Sequence, residues 1–145
     1  MNKSLPCATL SLSMAKTMAA AAERKASEIN VPVVISVVDH GANTLLIQRM
    51  DNAFVTSCDI SLNKAWSACC LKQPTHEITA AVQPGQSLYG LQLTNQQRIV
   101  IFGGGFPVIE NGQVIGAIGV SGGTVEQDME IAQSALNCFD ENESL

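Results

Sequence analysis

Arg49, Asp51, Asp59 and Lys64 bring two cations and two carboxylates close together in the chain. Arg49 and Asp51 end a predicted strand shortly before the predicted helix that carries Asp59 and Lys64. Such a group of charges could bind the carboxylates of a ligand, because guanidinium and ammonium groups pair well with carboxylates. The same charges could instead pair with one another as a structural cluster. We take Arg49, Asp51 and Lys64 as candidate ligand-binding residues.

Gly103, Gly104 and Gly105 form a second candidate site. Consecutive glycines cost backbone entropy and occur where φ is positive or where another group approaches closely. A sharp bend between strands would explain them. The close approach of a flat ligand would explain them equally well, so all three are candidate ligand contacts.

The segment from Ser121 to Thr124 joins a predicted strand to a predicted helix, where free N–H groups could hold a phosphate. Glu126 and Asp128 lie in the first turn of that helix and would repel an anion. Capping by Thr124 and Gln127, together with tight packing, is therefore the simpler interpretation.

The histidines and cysteines show no metal-ligand or nucleophile spacing. His40 and His76 lie in separate segments, and we expect each at the surface. The five cysteines are odd in number and contain no CxxC pair, which is typical of free thiols in a reducing cytoplasm. The residues alone indicate no catalytic constellation.

Hydrophobic periodicity predicts the elements of the N-terminal half. Apolar steps of three and four predict a helix over residues 12–29, capped by Ser11, and residues 31–38 and 44–50 read as a β-hairpin. Thr56 and Asp59 resemble a capping box that opens a helix running to Pro74. Its core stripe would be Cys58, Leu62, Ala65, Trp66 and Cys69. Its outer face would carry Ile60, Lys64 and Leu71 and would contact another subunit.

The C-terminal half predicts a short helix after Thr75, then a loop, then strands over residues 99–102, 107–109 and 114–120. A last helix follows Thr124. The order describes an α+β domain with one antiparallel sheet of about five strands. We expect a single domain over residues 1–145, with an ordered core over about 10–139 and a frayed acidic tail over 140–145.

Charge is scarce and unevenly placed. The chain has 145 residues, 14% of them charged, and a net charge of −5. This balance argues against binding nucleic acid, which needs clustered cations. Broad neutral surfaces favour contacts with like subunits. No run of 18 apolar residues occurs, so we expect no membrane span. All eight basic residues precede residue 99, so an anionic ligand should lie near Arg49, Lys64, Lys72 or Arg98.

Blocks of sequence along residues 10–139 resemble the GlcG/HbpS family, and more narrowly the small stand-alone relatives of the PduO C-terminal domain. The matching blocks are residues 33–39, 49–51, 63–65, 103–107, 116–123 and 127–128. The resemblance implies a profilin-like α/β/α sandwich, a homo-oligomer such as a tetramer or octamer, a cytoplasmic setting and, in several members, haem. Such relatives occur near genes for coenzyme-B12-dependent diol or glycerol breakdown.

One departure concerns the haem iron. In the haem-binding PduO-type relatives a histidine near the start of the first helix is the ligand, whereas residues 1–30 here contain no histidine. The sulfur atoms of Cys7, Met14 or Met18 could replace it.

Three functions remain open from the sequence. The first is a homo-oligomeric accessory protein that binds a haem-like or corrinoid-related molecule in support of cobalamin-dependent propanediol or glycerol utilisation, or of glycolate utilisation. The second is an enzyme acting on a small hydroxy acid, an aldehyde or haem, with Asp51 or His76 as proton carrier. The third is a scaffold or partner subunit without a ligand.

Overall fold

The computed structural model describes residues 1–143. Three helices and four strands follow in the order α1, β1, β2, α2, β3, β4, α3. Their bounds are α1 Leu12–Glu28, β1 Val34–Asp39, β2 Thr44–Arg49, α2 Thr56–Leu71, β3 Gly105–Glu110, β4 Gln113–Ser121 and α3 Val125–Glu143. Short 3₁₀ turns lie between α2 and β3, at Thr75–Glu77, Thr79–Val82, Leu91–Leu93 and Asn95–Gln97.

The strands form one antiparallel sheet in the order β2-β1-β4-β3, with helices on both faces. One face holds α1 and α3 over a core of alternate strand residues such as Ile35, Val37 and Ile118. The opposite face holds α2, which packs on Val38 and Ala117. This alternation is what a sheet buried on both sides requires.

The predicted fifth strand over residues 99–102 is wrong. Side chains of other segments bind the backbone there in place of a neighbouring strand. The Ser67 hydroxyl donates to the carbonyl of Arg98 and accepts from the N–H of Val100. The Thr79 hydroxyl donates to the carbonyl of Ile101 at 2.6 Å. With these groups satisfied, the segment packs beside α2, and β3 is left as an edge strand of the sheet.

Helix α2 occupies nearly the predicted residues, and Ala65 and Cys69 of the predicted core stripe are buried, but the buried face is shifted toward the serines and Lys64. Its buried side chains are Ser57, Ser61, Lys64, Ala65, Ser67, Ala68 and Cys69. Lys64, expected on the outer face, therefore points toward the sheet. The predicted capping box is also wrong: residue Val55 precedes the helix, and no side chain caps its first turn. Small residues on the inner face let α2 lie close to β4, where a Cβ at Gly119 would collide with the carbonyl of Ser61. The hydroxyls of Ser61 and of Ser36 on the neighbouring strand β1 bond to each other at 2.7 Å.

Two other helix caps confirm the sequence analysis. The Ser11 hydroxyl accepts from the N–H of Met14 at the start of α1. Before α3, the Thr124 hydroxyl accepts from the N–H of Gln127, whose amide oxygen accepts from the N–H of Thr124. That arrangement is a capping box.

The predicted frayed tail over 140–145 is only partly described. Residues 140–143 continue helix α3, and residues 144–145 lie outside the described residues. Within residues 1–143, no helix has the length and hydrophobicity needed to cross a bilayer.

Candidate functional site

Lys64 lies at the centre of a buried charge cluster. Its ammonium donates to a carboxylate oxygen of Asp128 at 3.0 Å and to the carbonyl oxygen of Val120 at 2.8 Å. The two side chains are 1% and 4% exposed. The other carboxylate oxygen accepts from the N–H of Gly123, and the Phe102 ring lies over the ammonium. The pair thus joins α2, β4 and the start of α3.

Burial acts against both charges of this pair. It lowers the pKa of Lys64 and raises the pKa of Asp128, and their mutual attraction opposes both shifts. The sequence offered no sign of this partnership, because Asp128 looked like an ordinary acidic residue of a first helical turn. Lys64 is enclosed on all sides in this arrangement, and its binding of a ligand carboxylate stays a prediction.

The glycine run is explained by the close approach of helices. A Cβ at Gly104, where φ is +125°, would lie 2.6 Å from Nζ of Lys64. A Cβ at Gly105 would collide with the Lys64 backbone carbonyl, and one at Gly103 would lie 2.6 Å from Sδ of Met129. Ligand contact by these three glycines stays a prediction.

Arg49 and Asp51 lie apart from Lys64. Arg49 ends β2 opposite Val34 and is exposed, as are Asp51 and Asp59. Among residues 1–143, Arg49, Asp51 and Asp59 form no ion pair. Lys64 pairs with Asp128 instead of with either of the two nearby carboxylates. The alternative of a structural cluster among these four residues is therefore wrong. Binding of ligand carboxylates by Arg49 and Asp51 stays a prediction.

The three candidate sulfur ligands lie in different surroundings. Met18 is fully buried in the core under α1, and Met14 packs against the same core. Cys7 is exposed on the segment before α1. Of these three residues Cys7 is exposed, Met14 is half-buried and Met18 is buried.

Cys7 lines a cavity of about 640 Å³, which we call the N-terminal groove. Its lining includes Leu5, Cys7, His40, Lys72, Ile109 and Val114. Polar and apolar surfaces line the groove in nearly equal share, and the polar groups include one exposed thiol, one imidazole and one ammonium. A volume of this size lies within the usual range for ligand pockets, about 300–1,000 Å³.

Three elements hold the groove together. The N–H of Leu10 donates to the carbonyl of Ile115, and this bond holds the N-terminal segment against the sheet. The N–H of His40 donates to the hydroxyl of Thr9 at 3.1 Å, which holds the same segment against the first hairpin. From α2, the Cys69 thiol donates to the carbonyls of Asp39 and His40. These bonds fix the backbone of His40 between the N-terminal segment and α2.

Sequence reasoning missed His40 as a site residue. His40 is exposed in the hairpin turn, as expected, but the docked N-terminal segment places Cys7 in the same cavity. The two residues are far apart in sequence and share no motif. No spacing rule could have paired them, because the N-terminal segment carries no strand or helix signal.

His76 does not lie at the surface as expected. It is half-buried, its ring lies 5.6 Å from that of Phe106, and its Nδ1 is buried without a hydrogen-bond partner. Nothing in the described contacts joins it to Asp51. Within residues 1–143, no three histidine, cysteine or acidic side chains are arranged to hold a metal ion.

A family model described as haem degrading protein HbpS-like matches residues 10–137. The chain belongs to this HbpS-like family. The resemblance expected from the sequence is confirmed, and it includes homology to GlcG and to the C-terminal domain of PduO.

Three relatives illustrate the range of the family. The chain is 77% identical to the 15.0 kDa protein of the dhaT–dhaS intergenic region of Citrobacter freundii, over 97% of this chain and 99% of that one. A solved structure titled as the PduOC:heme complex is 42% identical, with a TM-score of 0.87 and coverage of 91% and 95%. The corrinoid adenosyltransferase PduO of Citrobacter freundii is 44% identical over 90% of this chain, which spans only 39% of PduO.

Proposed function

We propose that this HbpS-like protein is an accessory protein that binds a metal tetrapyrrole, with haem as the first candidate, in the N-terminal groove. The observation that carries the proposal is the presence of the Cys7 thiol and the His40 imidazole in one cavity. Cysteine thiolate and histidine are both side chains that hold haem iron in proteins.

The residues of the groove fit such a group. Leu5, Ile109 and Val114 provide apolar contact for a macrocycle, and the Lys72 ammonium can pair with a propionate carboxylate. Bound haem would supply an iron centre that the Cys7 thiolate or the His40 imidazole could ligate. Cys69 is unsuited to that role, because burial raises the pKa of its thiol to about 11 and keeps it protonated at neutral pH.

The relatives support this class of ligand. One homologous structure is a complex of PduOC with haem, and the family is that of the haem-degrading HbpS-like proteins. PduO is a corrinoid adenosyltransferase, so a corrinoid is the second candidate ligand. Like haem, a corrinoid is a tetrapyrrole-type ring with a central metal that imidazole can ligate. Parallel titrations of the protein with haemin and with cobalamin distinguish these two ligands.

The proposed role is support of cobalamin-dependent propanediol or glycerol utilisation, or of glycolate utilisation, by a homo-oligomer. Exposed apolar side chains favour self-association: Phe54, Val55, Tyr89 and Leu93 are each more than 60% exposed in the single chain. If an assembled oligomer brings Arg49 of one subunit to the groove of another, Arg49→Ala should weaken ligand binding several-fold. Light scattering after size-exclusion chromatography tests the assembly itself.

The decisive experiment is a titration of the purified protein with haemin, followed by its visible spectrum. We expect a saturable Soret shift at micromolar haemin. The affinity should fall at least tenfold in Cys7→Ser or in His40→Ala. Cys70→Ser is the matched control, because Cys70 is an exposed thiol that does not line the groove. Cobalamin is titrated in parallel to compare the two ligands.

A spectrum indistinguishable from that of free haemin, together with no cobalamin binding, would overturn the proposal. Equal loss of affinity in Cys7→Ser and Cys70→Ser would also count against the groove, because it would indicate nonspecific thiol binding. Lys72→Gln, compared with Lys16→Gln on the exposed side of α1, tests the propionate contact in the same way.

A further inference from the structure

The outer face of α2 carries a row of side chains that the rest of the described chain leaves open or only partly covered. Its members recur at steps of three and four, which places them on one face of a helix. They are Val55, Asp59, Asn63, Trp66 and Cys70, and we call this row the α2 stripe. Val55 precedes the helix but has helical backbone angles, so it continues the row. Val55, Asp59 and Cys70 are exposed, and Asn63 and Trp66 are half-buried.

Two opposite charges lie along the α2 stripe. Asp59 is near the start of the helix. Two turns later, the Arg98 guanidinium lies over the Trp66 ring, 4.2 Å from the ring centre. Asp59 and Trp66 are about 10 Å apart along the helix axis. Within residues 1–143, neither Asp59 nor Arg98 forms a salt bridge. The stripe therefore offers one carboxylate and one guanidinium to a partner.

Apolar side chains border the stripe where the loop before β3 packs beside α2. Leu93 and Phe102 line one cavity together with Asp59 and Asn63, so they lie next to the row. In the single chain Val55 is 72% exposed, Leu93 is 67% exposed and Phe102 is 42% exposed. Exposed apolar side chains grouped in this way mark contacts with another macromolecule. The partner of this surface should therefore be apolar and should carry one acid and one base.

The stripe itself meets that description when two copies of α2 run antiparallel. With a two-fold axis beside Asn63, Asp59 of one copy faces Trp66 and Arg98 of the other. In the same arrangement, Val55 of one copy faces Cys70 of the other. A two-fold axis repeats each contact, so both carboxylates face a guanidinium. A parallel arrangement would set Asp59 against Asp59, and like charges in contact oppose association. The positions of the charges therefore favour a second copy in the antiparallel orientation.

We propose that the α2 stripe docks on the α2 stripe of a second copy of this chain, with Asp59 of each copy paired with Arg98 of the other. This contact rests on the homo-oligomer of the proposed function and is independent of its ligand. It gives two of the exposed apolar residues named there, Val55 and Leu93, a specific partner surface.

Charge reversal tests the pairing of Asp59 with Arg98. Size-exclusion chromatography with light scattering measures the mass of the assembly at micromolar protein. Asp59→Arg should lower that mass at least twofold, because two cations then face each other, and Arg98→Glu should do the same with two anions. The double variant Asp59→Arg/Arg98→Glu restores opposite charges and should restore the wild-type mass. Glu141→Arg, at an exposed position on α3 outside the stripe, is the matched control and should keep the wild-type mass.

Cross-linking tests the antiparallel orientation. Val55 and Cys70 of one chain are about 22 Å apart along α2, whereas the proposed contact sets Val55 of one copy beside Cys70 of the other. In Val55→Cys, a short bis-maleimide should therefore join two chains into a species of twice the mass on a denaturing gel, several-fold more than in wild type. Adding Cys70→Ser should abolish this gain. Lys16→Cys, exposed on α1, is the matched control and should give no product that depends on Cys70.

An assembly whose mass is unchanged in both Asp59→Arg and Arg98→Glu would overturn the proposed contact and leave the homo-oligomer in place. A wild-type chain that is monomeric at micromolar concentration would overturn both. A double variant that stays dissociated would show that Asp59 and Arg98 do not pair with each other, and a cross-link that persists with Cys70→Ser would exclude the antiparallel contact. The haemin titration of the wild-type protein decides the ligand separately.

Discussion

The ammonium of Lys64 and a carboxylate oxygen of Asp128 lie 3.0 Å apart in the interior and join α2 to α3 beside the end of β4. A buried ion pair is weak evidence of net stabilisation, because desolvation opposes the attraction. Removing one partner is strongly destabilising, because it leaves the other charge buried without compensation. The pair therefore specifies where α2 and α3 sit relative to β4, and each half depends on the other.

The first prediction concerns this pair. Lys64→Met should lower the free energy of unfolding by about 3–5 kcal/mol, because Asp128 would remain buried without its cation. Adding Asp128→Leu to Lys64→Met should recover much of that loss, since the double variant buries no charge. Urea unfolding followed by circular dichroism measures both. Lys16→Met, on the exposed side of α1, is the control and should change stability by less than about 0.5 kcal/mol. A double variant no more stable than Lys64→Met would contradict the ion-pair argument.

The second prediction concerns the glycine run. Gly105→Ala should destabilise the protein by about 3 kcal/mol or more, because the added Cβ meets the Lys64 backbone carbonyl, which cannot move without α2. Gly85→Ala is the matched control: φ is +85° there but nothing lies within 4 Å of the added Cβ. Its cost should be only the strain of a left-handed alanine, about 1 kcal/mol. Thermal unfolding of both variants compares the two costs, and equal costs would show that helix approach does not explain the glycines.

The sequence predicted the helices and strands whose positions follow from the local pattern of apolar and polar residues. Alternation and β-branched runs gave the first hairpin, and the helix periods gave α1 and α3 with their caps. The fifth strand was wrong because residues 99–102 have strand-like composition, while the hydroxyls that bind their backbone come from Ser67 and Thr79. Strand propensity is read from local sequence, so it does not detect hydrogen-bond partners that are distant along the chain.

The candidate site was harder to predict for the same reason. The sequence singled out Lys64 and the glycine run, which the structure places together, but it gave no sign that Asp128 completes the cluster. It named Cys7 from its chemistry alone and could not place His40 beside the same groove. Pairings across the fold depend on how helices pack and on where an irregular N-terminal segment docks, and neither follows from spacing.

The third prediction is a pH dependence that arises at Cys69. Burial raises the pKa of this thiol from 9.0 to about 11. Between these values the unfolded thiol ionises while the folded thiol keeps its proton, so stability is full below pH 9 and falls as the pH rises toward 11. The loss should reach about 2 kcal/mol. Urea unfolding of wild type and Cys69→Ala near pH 8 and pH 11 isolates it, because the difference between the two proteins should shrink by that amount. A difference that is independent of pH would contradict the assignment.

The fourth prediction compares two threonines that look alike in sequence. Thr124 and Thr56 each precede a polar residue three positions later, at Gln127 and Asp59, and both resemble capping boxes. In the structure the Thr124 hydroxyl accepts from the N–H of Gln127 at 3.1 Å, whereas α2 has no side-chain cap. Thr124→Ala should therefore cost about 1 kcal/mol of unfolding free energy, and the exposed Thr56→Ala less than about 0.5 kcal/mol. Chemical denaturation of both variants measures the difference. Equal losses of unfolding free energy would mean that the Thr56 hydroxyl caps α2 and that this helix begins closer to Asp59 than the structure shows.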